Sequence, residues 1–336
     1  MCTIKNIWII VVAACFLFAC KKQTVQPAGS LATFTVVTDS SKLSLDTAYY
    51  SLGAKTNFSF SGNPFTVTFF SGEKGHRYQF RNRTAALGTS NLIFTNAINV
   101  GTQQGSLHVM ISTDFKGVAF DTSSSIIGNP VATSDTSKTF SNIASATWKD
   151  ITPSVLATGS TPVTDTIDLS SYANGGKPVF VAFKYTSQSG SIQNKWTISN
   201  LSINNALADG TIYTIANIST AGTAIVNYGV NSFNPGWVAY TPSNTKKWAV
   251  ATNSLTMDST YAASAVNSES WAIIGAIDLT RVTPDVGVGI KGISTIPVSY
   301  QYQYLAKGSY QATFIATNNS AYTTDSITKT IPIVIR

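Results

Sequence analysis

The sequence predicts an all-β protein, and three observations carry this. Apolar and polar residues alternate with period two over many short stretches. Clusters of turn-forming residues separate those stretches. Charged residues make up only 11% of the 336-residue chain, against about 25% in an average soluble protein. Hydrophobic residues at 43% suffice for a core, so disorder through lack of one is excluded.

Taken in chain order, the first element is a leader. Lys5 is the only charge before an apolar run from Ile7 to Ala19. That run has signal-peptide length and is too short to cross a bilayer as a helix. It ends in Leu17-Phe18-Ala19-Cys20, which resembles a bacterial lipobox. The resemblance implies cleavage before Cys20 and acylation of its thiol. Residues 1–19 are then a lipoprotein signal peptide, and residues 20–30, polar with Pro27 and Gly29, a tether. All three cysteines (Cys2, Cys15, Cys20) lie in this stretch. Disulfides, cysteine-zinc sites and a cysteine nucleophile are therefore not expected in the body.

Strands follow. Phe58 and Phe60 alternate with Asn57, Ser59 and Ser61; Val67 and Phe69 with Thr66 and Thr68. Trp196 and Ile198 alternate with Lys195, Thr197 and Ser199; Tyr310, Ala312, Phe314 and Ala316 with Gln311, Thr313 and Thr317. These are half-buried strands. Ser61-Gly62-Asn63-Pro64, Gly72-Glu73-Lys74-Gly75, Asn174-Gly175-Gly176 and Asp209-Gly210 mark turns. No long stretch carries a capped helical stripe. His76, Arg77, Arg81 and Arg83 form one basic cluster, with the arginines expected on the solvated face of a strand whose Tyr78 and Phe80 face a core.

Phe58 to Pro64, Val67 to Gly75, Lys307 to Asn318 and Thr330 to Ile335 resemble an immunoglobulin-like domain of the polycystic-kidney-disease type. The matching halves lie at opposite ends of the chain. Between them, Ser106 to Gly117, Thr147 to Thr152, Ile167 to Tyr172, Lys177 to Tyr185 and Trp196 to Ile203 resemble the jelly-roll adhesin modules of Bacteroidota. Gly236-Trp237 and Trp271 to Leu279, which open such modules, come last here, so the resemblance implies circular permutation. The expected architecture is a small immunoglobulin-like sandwich, residues 31–84 plus 299–336, split by an inserted jelly-roll β-sandwich, residues 85–298. Insertion into a surface hairpin costs little when the insert's ends are close. Phe58 to Pro64, Phe70 to Glu73, Arg81-Asn82-Arg83 and Pro284 to Gly287 also resemble a family of Bacteroidota lipoproteins, domain of unknown function 5017.

Chemistry-bearing residues are sparse. The chain has 15 acidic residues, only two of them glutamates (Glu73, Glu269), and two histidines (His76, His108). Gly287-Val-Gly-Ile-Lys-Gly292 fits the dinucleotide pattern, but Pro297 breaks the helix that the pattern requires. Asp165 and Asp168 fall on opposite faces of any one strand, a poor glycosidase pair. Asp114, Asp121, Asp168 and Asp278 sit in no dense acidic loop, so neither a metal nor another cofactor is expected. The aromatics are more informative. Trp196 and Trp271 lie within apolar strands and are expected in the core. Trp148, Trp237 and Trp248 stand beside polar or turn residues, and Tyr300, Tyr302 and Tyr304 alternate with Gln301 and Gln303.

The expected function is that of a non-enzymatic, lipid-anchored cell-envelope protein of the outer membrane, a surface glycan-binding accessory. Trp237, Trp148, Trp248 and Tyr302 are the expected ligand contacts and Cys20 the anchor. An adhesive or structural protein-binding module is the alternative, and a glycoside hydrolase comes third. The expected partners are a membrane, through the lipid, and a glycan. The net charge of +7 is dispersed, and no nucleic acid is expected.

Overall fold

The computed structural model describes residues 34–39, 43–44, 46–121, 125–126, 129–130, 133–173, 177–218, 237–243, 248–251, 253–257, 266–293, 299–319 and 324–336. The leader, Cys20 and the tether lie outside them. Among the described residues the protein is mostly β, 53% strand, with one α-helix. No described helix is long and apolar enough to cross a membrane.

The chain forms two compact units, an outer one of residues 1–82 and 285–336 and an insert of residues 83–284. Residues 285–293, expected in the insert, fall with the outer unit. The reason is strand pairing: Val288–Lys291 adds an edge strand against Thr66–Phe70. Gly287 beside it has no room for a Cβ, which would fall 2.5 Å from Thr68 and 2.7 Å from the Phe70 ring. Of the glycines in the dinucleotide-like pattern, Gly287 thus serves close packing and Gly289 lies within the strand, and no helix follows among the described residues.

Both sheets of the outer unit interleave strands from the two ends of the chain. In one, Lys55–Ser61 lies between Thr35–Thr38 and Ser299–Gln303. In the other the order is Leu43–Ser44, Thr47–Tyr50, Thr324–Ile335, Gly308–Asn319, Thr66–Phe70 and Val288–Lys291. Pairing is antiparallel except between Thr324–Ile335 and Thr47–Tyr50. Their shared core is aromatic. The Phe314 ring lies 4.9 Å from those of Phe58 and Phe69.

The chain leaving this unit is clasped to the chain returning. Asp285 N–H donates to Phe80 O (3.2 Å) and Val286 N–H to Gly75 O (2.9 Å). Arg77 donates to Asp285 Oδ2 from both its backbone N–H and Nε, each at 2.9 Å. Residues Tyr78–Phe80 form a 3-10 turn, not the strand expected for the basic cluster. Arg77 is therefore committed to a buried ion pair whose carboxylate is fully enclosed, a pair costly to break from one side. The Arg81 guanidinium stacks on Tyr78 at 3.9 Å.

In the insert, the two ends also run side by side: Ala86 N–H donates to Thr280 O (2.8 Å) and Val282 N–H to Thr84 O (3.0 Å). One sheet has the order Lys149–Asp150, Leu107–Ser112, Phe180–Ser187, Ser268–Ile274, Trp237–Ser243. The other runs Val163–Asp168, Thr89–Ile98, Trp196–Ala206, Ser254–Met257, Trp248–Ala251, with Ile212–Asn217 paired to Trp196–Ala206. The two sheets face each other across a largely aliphatic core that includes Leu92, Val109, Ile111, Val181, Ile198 and Leu255.

The helix, Thr136–Ser145, was not evident in the sequence because Ser, Thr and Asn dominate it. Asp135 caps it by accepting from Lys138 N–H at 2.9 Å. Thr139 Oγ1 accepts from Ala119 N–H (2.9 Å), and Asn142 Nδ2 donates to Gly117 O (2.9 Å), which fastens the helix to the preceding loop.

Candidate functional site

Strand alternation builds the site. In Leu107–Ser112, Leu107, Val109 and Ile111 enter the core, so His108 and Met110 face the other way. In Phe180–Ser187, Val181, Phe183 and Tyr185 enter the core, leaving Phe180, Ala182 and Lys184 outward. In Ser268–Ile274, Ala272 and Ile274 enter it, leaving Glu269, Trp271 and Ile273 outward. Register then aligns them. Trp271 lies opposite Lys184, and Lys184 opposite His108.

Above this outer face the helix contributes Phe140 and Ile143 to a second, smaller apolar cluster with Phe115, Phe180, Trp148 and Trp271. The Trp148 ring sits 5.0 Å from Trp271 and 5.3 Å from Phe115. Its Nε1–H donates to Ile143 O (3.1 Å), which fixes the ring. Trp148 stays half-buried, while Trp271 is covered. Together with Met110, Phe140, Ala144, Lys184 and Glu269 they border an open hollow of about 510 Å3.

A lysine–glutamate ion pair and a histidine–aspartate contact edge this aromatic shelf. Lys184 Nζ lies 3.1 Å from Glu269 Oε2, with the side chains 25% and 35% exposed. The same ammonium stands 5.1 Å from the Trp271 ring centroid. Trp271 Nε1–H donates to Glu269 Oε1 at 2.6 Å. His108 Nδ1 lies 2.9 Å from Asp150 Oδ2. Burial works against the charged form of Asp150. Hydrogen bonds from the Thr152 hydroxyl and N–H and from His108 outweigh it, and the carboxyl is held below its ordinary value.

A second hollow of about 500 Å3 opens at one end of the insert, between Gly101 to His108 and Thr152 to Thr158, with Ile98 and Trp196 behind. Its wall is braced from within. Asn194 Nδ2 donates to Gln103 O (2.6 Å) and Ser106 Oγ (2.8 Å), and Trp196 Nε1–H donates to the same hydroxyl (2.9 Å). Gly101, at φ +95°, passes so close to Asn194 that a Cβ would fall 2.4 Å from its Oδ1.

A family model described as Domain of unknown function (DUF5017) matches residues 19–223. The chain belongs to the DUF5017 family. No curated protein and no solved structure matches this DUF5017 chain. The family match takes in Trp148, Lys184, His108 and Asp150 but stops short of Glu269 and Trp271.

The structure distributes the expected contacts of the DUF5017 chain unevenly. Trp148 lies on the shelf. Trp248, an expected ligand contact that follows Lys246 and Lys247, is only 1% exposed and fills the insert's core, 6.5 Å from Phe183. Its strand alternates, so a polar sequence neighbour says nothing about its own face. Tyr302, likewise expected to face a ligand, is half-buried and packs against the outer unit's core at Phe69 and Tyr304, and its hydroxyl donates to Glu73. Trp237 begins a strand opposite Ile274, and its side chain lies outside the described residues, as does Cys20. Sequence reasoning missed Lys184, Glu269, His108 and Asp150 as site residues. Lys184 was findable as the only charge in the apolar run Phe180 to Tyr185. Among the described residues, no group of three or more His, Cys, Asp or Glu could hold a metal ion.

Proposed function

We propose that this chain is a lipid-anchored protein of the bacterial cell envelope, held at the outer membrane through Cys20. On this reading it is a non-enzymatic, surface glycan-binding accessory. Its outer unit is an immunoglobulin-like sandwich and its insert a permuted jelly roll. The observation that carries the binding reading is the fixed, half-buried Trp148 ring packed at a tilt against Trp271 beside Lys184 and Glu269. Sugar rings offer apolar C–H faces and a fringe of hydroxyls, which call for an aromatic surface with hydrogen-bonding groups around it. Both carboxylates at the shelf are already engaged, Glu269 by Trp271 and Lys184, and Asp150 by His108 and Thr152. That supports binding over acid–base chemistry.

The test is a glycan array probed with the body from residue 31 onward, followed by calorimetry on each hit. Trp148→Ala is expected to weaken binding by about 2 kcal/mol, as for a binding hot spot. An array without hits, or a hit that Trp148→Ala leaves untouched, would remove this reading. Metabolic labelling with a fatty-acid probe tests the anchor, and Cys20→Ala should abolish the label.

A further inference from the structure

The shelf and the end hollow are bordered by neighbouring strands of one sheet. His108 lines the end hollow, and Lys184 borders the shelf. The two residues face each other in register on adjacent strands, about 5 Å apart at Cα. Trp271 is the next partner of Lys184. From Trp271 to His108 is thus two strand spacings, about 10 Å, along one row. Beyond His108 the row reaches Thr152, Ser154 and the Gly101 to Gly105 backbone.

The path also carries two carboxylates, each already in contact with a basic side chain. Lys184 is matched by Glu269 and His108 by Asp150. Past His108 the lining consists of hydroxyls, amides, backbone and apolar groups, including Gln104, Thr152, Ser154 and Thr158. An anionic ligand would have to compete with Glu269 for the Lys184 ammonium and would meet the Asp150 carboxylate as well, while hydroxyls can donate to those carboxylates and accept from the ammonium at once.

We propose that the site takes a linear, uncharged glycan longer than a disaccharide, one sugar on the Trp148–Trp271 shelf and the chain running past Lys184 and His108 into the end hollow. This rests on the glycan-binding reading above. Binding is measured by calorimetry with β-1,4-linked oligomers of glucose, mannose, xylose and N-acetylglucosamine, each from two to six units, and with oligogalacturonates of the same lengths. At least one neutral series should gain about tenfold or more in affinity between two and five units, as linked subsites require. Trp148→Ala should weaken every length. Ser154→Trp, at an exposed position on the hollow's rim, should reduce the five-unit ligand to disaccharide affinity and leave the disaccharide unchanged. Gln104→Ala, on the opposite wall, should weaken only the longer oligomers. Disaccharide binding with no gain on lengthening, or long-oligomer binding indifferent to both rim variants, would overturn the extended path and leave the shelf standing. Tighter binding of oligogalacturonates would overturn the neutral assignment. Failure of every series to bind would remove the glycan reading and this one with it.

Discussion

The two units bury different chemistry. The outer unit closes on rings. Phe58, Phe69 and Phe314 meet at its centre, and Tyr302, Tyr304 and Tyr310 extend the stack, with Tyr304 and Tyr310 4.5 Å apart. The insert closes mainly on Val, Leu and Ile, and it sets Trp148, Trp271, Phe115 and Phe180 on the outside of one sheet. A small unit has little interior, and aromatic residues bury the most area per position. The larger insert fills its interior with aliphatic strands and has rings to spare for a surface. Aromatic content alone therefore does not mark a binding face; what matters is whether the core beneath is already filled.

Several changes would break or sharpen this contrast. Ending the chain at residue 298 has the largest expected effect. It removes Gly308–Asn319 and Thr324–Ile335 from the middle of the outer unit's six-stranded sheet. The outer unit should not form, which near-UV circular dichroism would register as a lost tyrosine signal. A protease-resistant fragment near residues 83–284 should persist, and its absence would mean that the insert's aliphatic core is not self-sufficient.

Single core truncations come next. Phe314→Ala and Trp248→Ala each remove a fully buried ring and should cost about 3–5 kcal/mol, read in urea unfolding. Trp148→Ala should cost clearly less stability, since its ring is half-buried, while weakening ligand binding. Equal stability losses for Trp148 and Trp248 would erase the distinction between shelf and core.

Tyr302→Phe should cost about 1–2 kcal/mol by removing the hydrogen bond to Glu73. Burial first, and then that bond, push the Tyr302 phenol up to about 12 from its ordinary 10.0. A raised value means that the folded state holds the proton more tightly. The associated stability is complete below pH 10 and is lost as pH rises toward 12. Tyrosinate absorbance should therefore rise together with outer-unit unfolding in wild type, and part of that coupling should vanish in Tyr302→Phe.

The smallest effect is expected for Asp150→Asn, below about 1 kcal/mol for a pair as exposed as Asp150 and His108. The Asp150 carboxyl is lowered from 3.8, so its contribution is present above about pH 4 and fades as pH falls further. Melting temperatures of wild type and variant should differ at pH 6 and draw together as the pH falls below 4.

Period-two patterning made the β character legible, and it named many of the strands by residue. Phe58, Val67, Trp196 and Phe314 are all buried as alternation requires. The two ends of the chain resemble halves of one domain, and strands from both ends share sheets. Alternation divides a strand into two faces, however, without saying which one a second sheet will cover. Tyr300, Tyr302 and Tyr304 and their intervening glutamines left that choice open, and packing against Phe69 settled it for the tyrosines. Sequence neighbours misled at Trp248 for the same reason, and at Arg77, where a turn and Asp285, far along the chain, replaced a strand face.

What the sequence by itself determined was local: strands, turns, a scarcity of charge and a supply of aromatic rings. The shelf was decided by tertiary structure alone. Trp148, Lys184, His108 and Trp271 come from four separate stretches, and strand register brings three of them into one row while the Ile143 carbonyl holds the fourth above it. Register depends on which strands pair across the sheet, and that is a property of the whole fold, because shifting one strand by a single residue would turn each of these side chains to the other face.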